Sequence, residues 1–313
     1  MAIRIDRRGV LAAAGALVAG VAGPARASPR PARLEGLWSM GSYTDLERPA
    51  DAPRLVLTAA EAQAFEARRH ALHGMLPGQA GEVGQAENEY IDRGEHLARV
   101  KGQIRSSWIV DPPDGRIPYR PDVFARLDKH RDPSGRRFDD PEQLAGPERC
   151  VASISAGAPL LGAPDANLIQ IVETADCVAI VCEKYHDVRV VRLAAGPPSG
   201  RPESWLGDSV GRWEGPTLCV ETLGLRPGVT HRGQRIYVSG DTRTDERFTR
   251  AGPGELLYEF TVEDPSLYTR PWRGEITFTA AAGRMFEYTC HEGNYSIVGI
   301  LAGARREERE ARR

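Results

Sequence analysis

The sequence predicts a mainly β protein: an antiparallel up-and-down barrel or curled sheet of about eight or nine strands, behind an irregular, partly helical N-terminal segment. Two observations carry this. From Asn167 onward, short runs rich in Val, Ile, Thr, Tyr and Phe recur between turn residues, with no helical period among them. Within 256–263, Leu256, Tyr258, Phe260 and Val262 alternate with Leu257, Glu259, Thr261 and Glu263, the two-residue period of a strand buried on one face. Strands are expected at 168–173, 177–183, 187–193, 209–214, 217–222, 245–251, 255–263, 272–280 and 284–290. Hairpin turns are expected at 251–255 (AGPGE) and 281–284 (AAGR). Successive strands without intervening helices form a meander, which removes its exposed edges by closing.

The elements before the sheet follow from local signals. Residues 1–27 combine a charged start, a short apolar run and a closing Ala25-Arg26-Ala27, the pattern of a secretory signal cleaved before Ser28. Residues 28–33 are Pro-rich and expected to be disordered. Residues 34–150 read as an irregular, helical segment that packs on a barrel spanning 151–299. Thr58 and Glu61 have capping-box spacing and open a helix to about Leu72. A second helix is expected over 86–101, and a third from Pro121 to about His130. Between them, "SSWIVDPPDGRIPY" reads as two extended pieces around the Asp111–Gly115 turn. Residues 300–313 are highly charged and read as a solvated helix or tail.

The formal charge of the 313-residue chain is −2, and loss of residues 1–27 moves it to −5. A mildly acidic chain with scattered Arg offers no basic stripe, so nucleic acid is not an expected partner. No stretch after the signal is long and apolar enough for a membrane span. The partner left is a small-molecule ligand or substrate, in the periplasm or outside the cell. No cofactor is predicted. His186, His231 and His291 lack close ligand spacing, and His291-Glu292 has no second His at 295, so no metal site is assigned.

Five cysteines are present. Cys177 and Cys182 are five apart in one expected strand, so they point to opposite faces and cannot pair. Cys219 reads as a small core residue. Cys150 and Cys290 bracket the β-rich region, and a bridge between them would tie its ends together; spacing alone leaves the connectivity open.

The candidate site rests on loop lengths. In a strict meander, connections alternate between the two ends of the sheet. The short turns 184–186, 215–216, 252–254 and 281–283 would then share one end. The longer 194–208, 223–244 and 264–271, and the "CHEGNY" stretch from 290, would share the other. Long loops on a rigid scaffold are where binding sites gather. That end collects Trp205, Asp208, His231, Asp264, Tyr268, Arg270, Trp272, Asn294 and Tyr295 as a ligand-binding wall. His291 and Glu292 are the candidate catalytic pair, because an imidazole and a tunable carboxylate can exchange a proton near neutral pH. Three functions stay open. One is an exported enzyme doing lyase, isomerase or hydrolase chemistry on an oxygenated, mostly apolar substrate. The others are a binding protein for an apolar ligand without turnover, and a structural envelope protein with a packed barrel. Gly207–Gly211 has the letters of a hydrolase nucleophile elbow, but a hairpin follows where that motif needs a helix, so Ser209 is not assigned as a nucleophile. An Asp264–Arg270 salt bridge is expected across the 264–270 loop. Tyr185-His186-Asp187 reads as a hairpin turn remote from the candidate site.

Three resemblances add to this reading. Arg7-Arg8 before Gly9, Val10 and Leu11 resembles a twin-arginine export signal, with an ordinary secretory signal as the alternative. Gly36-Leu37-Trp38 resembles the first-strand signature of lipocalin-like barrels, which implies an up-and-down barrel. The segments "SSWIVDPPDGRIPY", "WLGDSVGRWEGPTLCVET", "DERFTRAGPGELLYEFTVEDP" and "YTCHEGNYSIVGILAGAR" resemble a widespread, functionally uncharacterised group of exported bacterial proteins. Cysteines corresponding to Cys150 and Cys290 recur in that group, which implies the bridge; no catalytic role carries over.

Overall fold

Nine strands close into a mixed β-barrel in the computed structural model of the chain. The structure describes residues 34–74, 94–126, 138, 140–144, 146, 149–152, 155–162, 166–199, 203–227 and 236–313. These lie in one unit, Ala32–Arg313. The expected signal (1–27), the disordered start (28–33), His231 and residues 86–93 of the second expected helix lie outside the described residues.

The barrel strands are β1 (Gly36–Ser39), β6 (Leu168–Glu173), β7 (Cys177–Cys182), β8 (Val188–Leu193), β9 (Asp208–Glu214), β10 (Thr217–Leu223), β11 (Arg243–Gly252), β12 (Glu255–Glu263) and β13 (Trp272–Ala280). The ring closes through β1, whose Trp38 sits opposite Ile169 of β6 and Ala280 of β13. Eight of the nine expected strands form. The ninth does not: 284–289 carries no strand, and Cys290–Gly293 is a helical turn, α2. Its place is taken by β1, the Gly-Leu-Trp segment more than a hundred residues upstream. The strand β5 (Ile109–Asp111) pairs with β13 at Gly274 and Arg273. With both contacts filled, the edge of β13 has little left to offer the 284–290 segment.

Helices are few. Thr58 and Glu61 form the expected capping box, with Thr58 N donating to Glu61 Oε2 (2.7 Å) and Glu61 N to Thr58 Oγ1 (3.3 Å). The helix α1 runs Ala59–Gly74. A small sheet joins β2 (Val56–Leu57), β4 (Gln103–Arg105) and β3 (Arg99–Val100), so the described end of the expected 86–101 helix is a hairpin instead. The C-terminal helix α3 (Ser296–Ala311) lies on the surface with no buried residue. Among the described residues no helix is long and apolar enough to cross a membrane.

One pairing departs from a meander. β8 and β9 are parallel, with Val191 opposite Ser209. The 194–207 connection therefore returns the chain to the end where β8 began, and every later turn changes ends. The long 224–242 and 264–271 segments share an end with the short 184–186 turn, not with the 174–176 turn. The C-terminal stretch runs back to that same end. Phe286 N donates to Glu183 Oε1 (2.8 Å) and Tyr288 N to His186 Nε2 (3.1 Å). Tyr185-His186, expected to be remote from "YTCHEGNY", is in contact with it. A disulfide, Cys150–Cys290, with Cα atoms 5.8 Å apart, ties this stretch to the N-terminal segment.

The barrel interior is filled. Alternate residues of each strand point inward and form an aromatic and aliphatic core that includes Trp38, Ile171, Ile180, Phe248, Phe278 and Trp272. Tyr258 stacks on Phe278, with centroids 5.4 Å apart, and packs on Phe248 at 4.9 Å. Residues 155–161 are buried against the inward faces of three strands. Ser155 O accepts from Cys182 Sγ (2.8 Å), Gly157 O from Arg189 Nη1 (2.9 Å), and Leu160 N donates to Tyr258 Oη (2.8 Å). Backbone polar groups inside an apolar barrel need such partners. The strongest is an ion pair: Arg189 Nη1 and Nη2 each donate to a Glu246 oxygen at 2.9 Å, and Tyr258 Oη donates to Oε1 at 2.7 Å. Burial works against the Arg189 charge, and the Glu246 carboxylate outweighs it, so the guanidinium is held above its usual range.

Candidate functional site

The residues expected to line one site are spread over four surroundings. Trp205 is half-buried beside a small apolar cavity of about 20 Å³ formed with Pro159, Leu161, Leu225, Ile236 and Val238. The Arg226 guanidinium lies 4.7 Å from its ring centroid. Asp208 opens β9, where its carboxylate accepts from Arg192 Nη2 (2.6 Å), Ser199 N (2.8 Å) and Ser199 Oγ (3.0 Å). Burial pushes that carboxyl up, but these donors win and hold it below the usual range. Tyr268 and Trp272 do meet, in an edge-on contact 6.0 Å between centroids, but both are buried. Tyr268 Oη donates to Tyr237 O (2.8 Å), and burial pushes the phenol well up. These groups brace the 264–271 turn.

One expectation is corrected by specific contacts. Arg270 pairs with Asp111 at 2.6 Å, not with Asp264. Asp264 instead organises its own turn, accepting from Ser239 Oγ (2.6 Å), Thr242 Oγ1 (2.6 Å) and Ser266 Oγ (2.7 Å). Ser209 faces the interior and shares a 2.8 Å hydrogen bond with Thr222, so it is no exposed nucleophile.

His291 and Glu292 sit on the exposed turn of α2, and neither side chain makes a hydrogen bond with a described residue. Asn294 Nδ2 reaches Cys150 Sγ at 3.5 Å, and Tyr295 is 83% exposed. Both side chains are exposed among the described residues, whereas acid–base catalysis is favoured in a site that excludes water.

A concavity lies elsewhere, on the outer face of β10–β13. It is a groove of about 290 Å³, at the lower end of the range for small-ligand sites. Two cross-strand rows build it. In the first, Cys219, Arg247, Glu259 and Glu275 lie side by side on β10, β11, β12 and β13. In the second, Asp245, Thr261 and Arg273 do the same on β11–β13. Val110 of β5 walls one side and Arg212 of β9 another. Gly274 contributes backbone to the floor, and on its inward side a Cβ would stand 2.4 Å from Phe260 Cζ, in the barrel core.

Ion pairs hold this surface in place. Lys101 Nζ reaches Glu259 (2.8 Å) and Glu275 (2.7 Å), and Arg105 joins Glu275 from behind at 2.5 Å. The bond to Glu259, then that to Glu275, raises the Lys101 ammonium above its usual range. At the other side Arg247 Nη1 contacts Glu214 (3.0 Å) and Cys219 Sγ (3.1 Å). The Cys219 thiol beside it, with Arg247 and Arg212, holds the exposed Glu214 carboxyl down at about 2. Burial, then Glu214, pushes the Cys219 thiol up, so it is a neutral lining group and not an activated nucleophile. Cys219 reads as core from its apolar neighbours, yet it faces outward into this groove. Alternation was the signal that could have found the site: the outward positions 245, 247, 259, 261, 273 and 275 are all polar or charged.

Among the described residues no three His, Cys, Asp or Glu side chains converge as a metal site. No protein-family model, curated protein or solved structure matches the chain.

Proposed function

We propose that this chain is an exported binding protein that takes a small polar molecule into the outer groove of its barrel and releases it unchanged. The observation that carries this reading is the groove itself: about 290 Å³, lined by two rows of charged and hydroxyl side chains on four adjacent strands. Rigid strands preorganise such a site, and paired charges fix the positions of its donors and acceptors. The interior is taken up by the chain's own 155–161 segment, which favours an exterior ligand over one held in the barrel mouth. Binding without turnover is favoured because the groove holds no imidazole and its thiol is kept neutral. Export is supported by the residue 1–27 pattern and by the Cys150–Cys290 bridge, which belongs in an oxidising compartment. The quoted segments support membership of the widespread exported group.

The test is amide chemical-shift mapping of the isotope-labelled mature chain against a mixed set of small neutral, anionic and cationic polar compounds. Saturable shifts confined to β10–β13, with the compound recovered intact, are expected. Shifts that map to α2, or chemical conversion of the bound compound, would sink the proposal.

A further inference from the structure

We infer that the groove selects a small hydroxylated carboxylate, a compound of sugar-acid type, with Arg273 as the residue that receives its carboxylate. This rests on the reading of the groove as a ligand site and goes further by naming the charge and functional groups of the ligand.

The charges around the groove are unequally paired. Every acid that lines the groove already has a protein cation. Asp245 is held by Arg243 (3.2 Å), Glu259 by Lys101 (2.8 Å), and Glu275 by Lys101 (2.7 Å) and Arg105 (2.5 Å). The cations are not all matched. Arg212 and Arg247 share the single carboxylate of Glu214, at 2.9 and 3.0 Å. Arg273 is exposed and makes no ion pair or hydrogen bond with any described side chain. Its cross-strand neighbour Asp111 does not serve it, because that carboxylate is engaged by Arg270 at 2.6 Å. A cationic ligand would compete with cations already in place. An anionic one meets a guanidinium with its donors free, and a guanidinium matches a carboxylate in a planar, two-bond geometry.

The neighbouring row supplies the rest. Thr261 lies directly opposite Arg273, and its hydroxyl makes no side-chain hydrogen bond among the described residues, so it can donate to the same carboxylate. Beyond it stand Asp245 and, in the adjacent row, Glu259. An ionised carboxylate has about four acceptor positions, and the contacts from Arg243 and Lys101 leave some unused. Ligand hydroxyls are the groups that fill such positions without bringing a second positive charge. The order along the groove is therefore one carboxylate receptor, one hydroxyl, then hydroxyl acceptors. That sequence is complementary to a carboxylate attached to a polyol or sugar ring, and a groove of about 290 Å³ suits one such unit.

Three probes of one size separate charge from shape: glucuronate, glucose and glucosamine, titrated in mildly acidic buffer where they are anionic, neutral and cationic. Amide shifts across β10–β13 of the mature chain are followed for wild type, Arg273→Gln and the remote surface control Arg306→Gln. The expected result is saturable glucuronate binding, weakened at least about tenfold by Arg273→Gln and unchanged by Arg306→Gln, as for loss of one charge-assisted contact. Glucose or glucosamine binding the groove as tightly as glucuronate overturns the carboxylate assignment and leaves the groove as a ligand site. Glucuronate binding that survives Arg273→Gln overturns the role of Arg273. Absence of groove shifts with all three probes overturns the inference. If the mixed compound set also leaves β10–β13 silent, the binding function falls with it.

Discussion

Replacing Arg189 with Met tests the interior most directly. The pair it forms with Glu246 is 1% and 0% exposed in its side chains, with both oxygens bonded at 2.9 Å. Met keeps most of the aliphatic volume and removes the charge, leaving Glu246 inside the barrel with Tyr258 Oη at 2.7 Å as its donor. Breaking a buried pair from one side costs about 3–5 kcal/mol, because the surviving charge is neither solvated nor paired. For a chain of this size that corresponds to a fall in Tm of about 5–8 °C. Urea unfolding of wild type and variant at neutral pH reads the loss. The double variant Arg189→Met with Glu246→Met should recover much of it. A deficit below about 1 kcal/mol would refute the buried-pair description.

Three further outcomes follow from other parts of the molecule. Gly274→Ala should destabilise the barrel by about 1–3 kcal/mol in urea unfolding, since its Cβ would lie 2.4 Å from Phe260 Cζ; Phe260→Leu in the same chain should relieve part of it. Under mild reduction, a protease should cut within 284–313 and leave the barrel folded, because α2 and α3 bury no residue and β1, not the C-terminal stretch, closes the ring. Loss of barrel structure in step with that cleavage would show that the Cys150–Cys290 bridge supports the whole fold. Alkylation of the native protein followed by mass spectrometry should modify Cys177 first and Cys219 more slowly, and reach Cys182 only on unfolding. Cys177 is partly exposed, whereas Cys182 is fully buried, with its thiol pushed up by that burial.

Strand content was legible because inward and outward residues alternate on a half-buried sheet, and β12 keeps that alternation over its whole length. Three features were not legible, each for a physical reason. The closing strand is four residues long and isolated in sequence, so no local period marks it; Gly36-Leu37-Trp38 resembles a first-strand signature, but its role in closing the ring shows only in the pairing of Trp38 with both Ile169 and Ala280. The 194–207 connection is long enough for either a same-end loop or a return across the barrel, and residue pattern does not separate these. Once it returns, every inference from loop parity changes ends. Arg284–Cys290 alternates like a strand, but strand propensity is expressed only where a partner edge is free. β1 and β5 hold that edge at Thr279–Ala280 and Arg273–Gly274, so the segment instead bonds to Glu183 and His186.

Polar crowding at 288–295 and loop length point to the loop ends, whereas alternation along β10–β13 points to outward rows of charge. Loops here are held by internal partners: Asp264 by Ser239, Thr242 and Ser266, and Asp208 by Arg192 and Ser199. Each carboxylate is spent on its own turn. The outward rows of β11–β13 differ in one respect that decides between solvated charge and receptor. A solvated face needs no concavity and no shared pairing, whereas here β5 and the 99–105 hairpin stand beside the sheet and deliver Lys101 and Arg105 onto Glu259 and Glu275. Those cations neutralise one side of the groove and leave Arg273 unmatched on the other. A barrel whose centre is filled by its own 155–161 segment can still bind a ligand, because the rigidity bought inside is inherited by the side chains that the same strands turn outward.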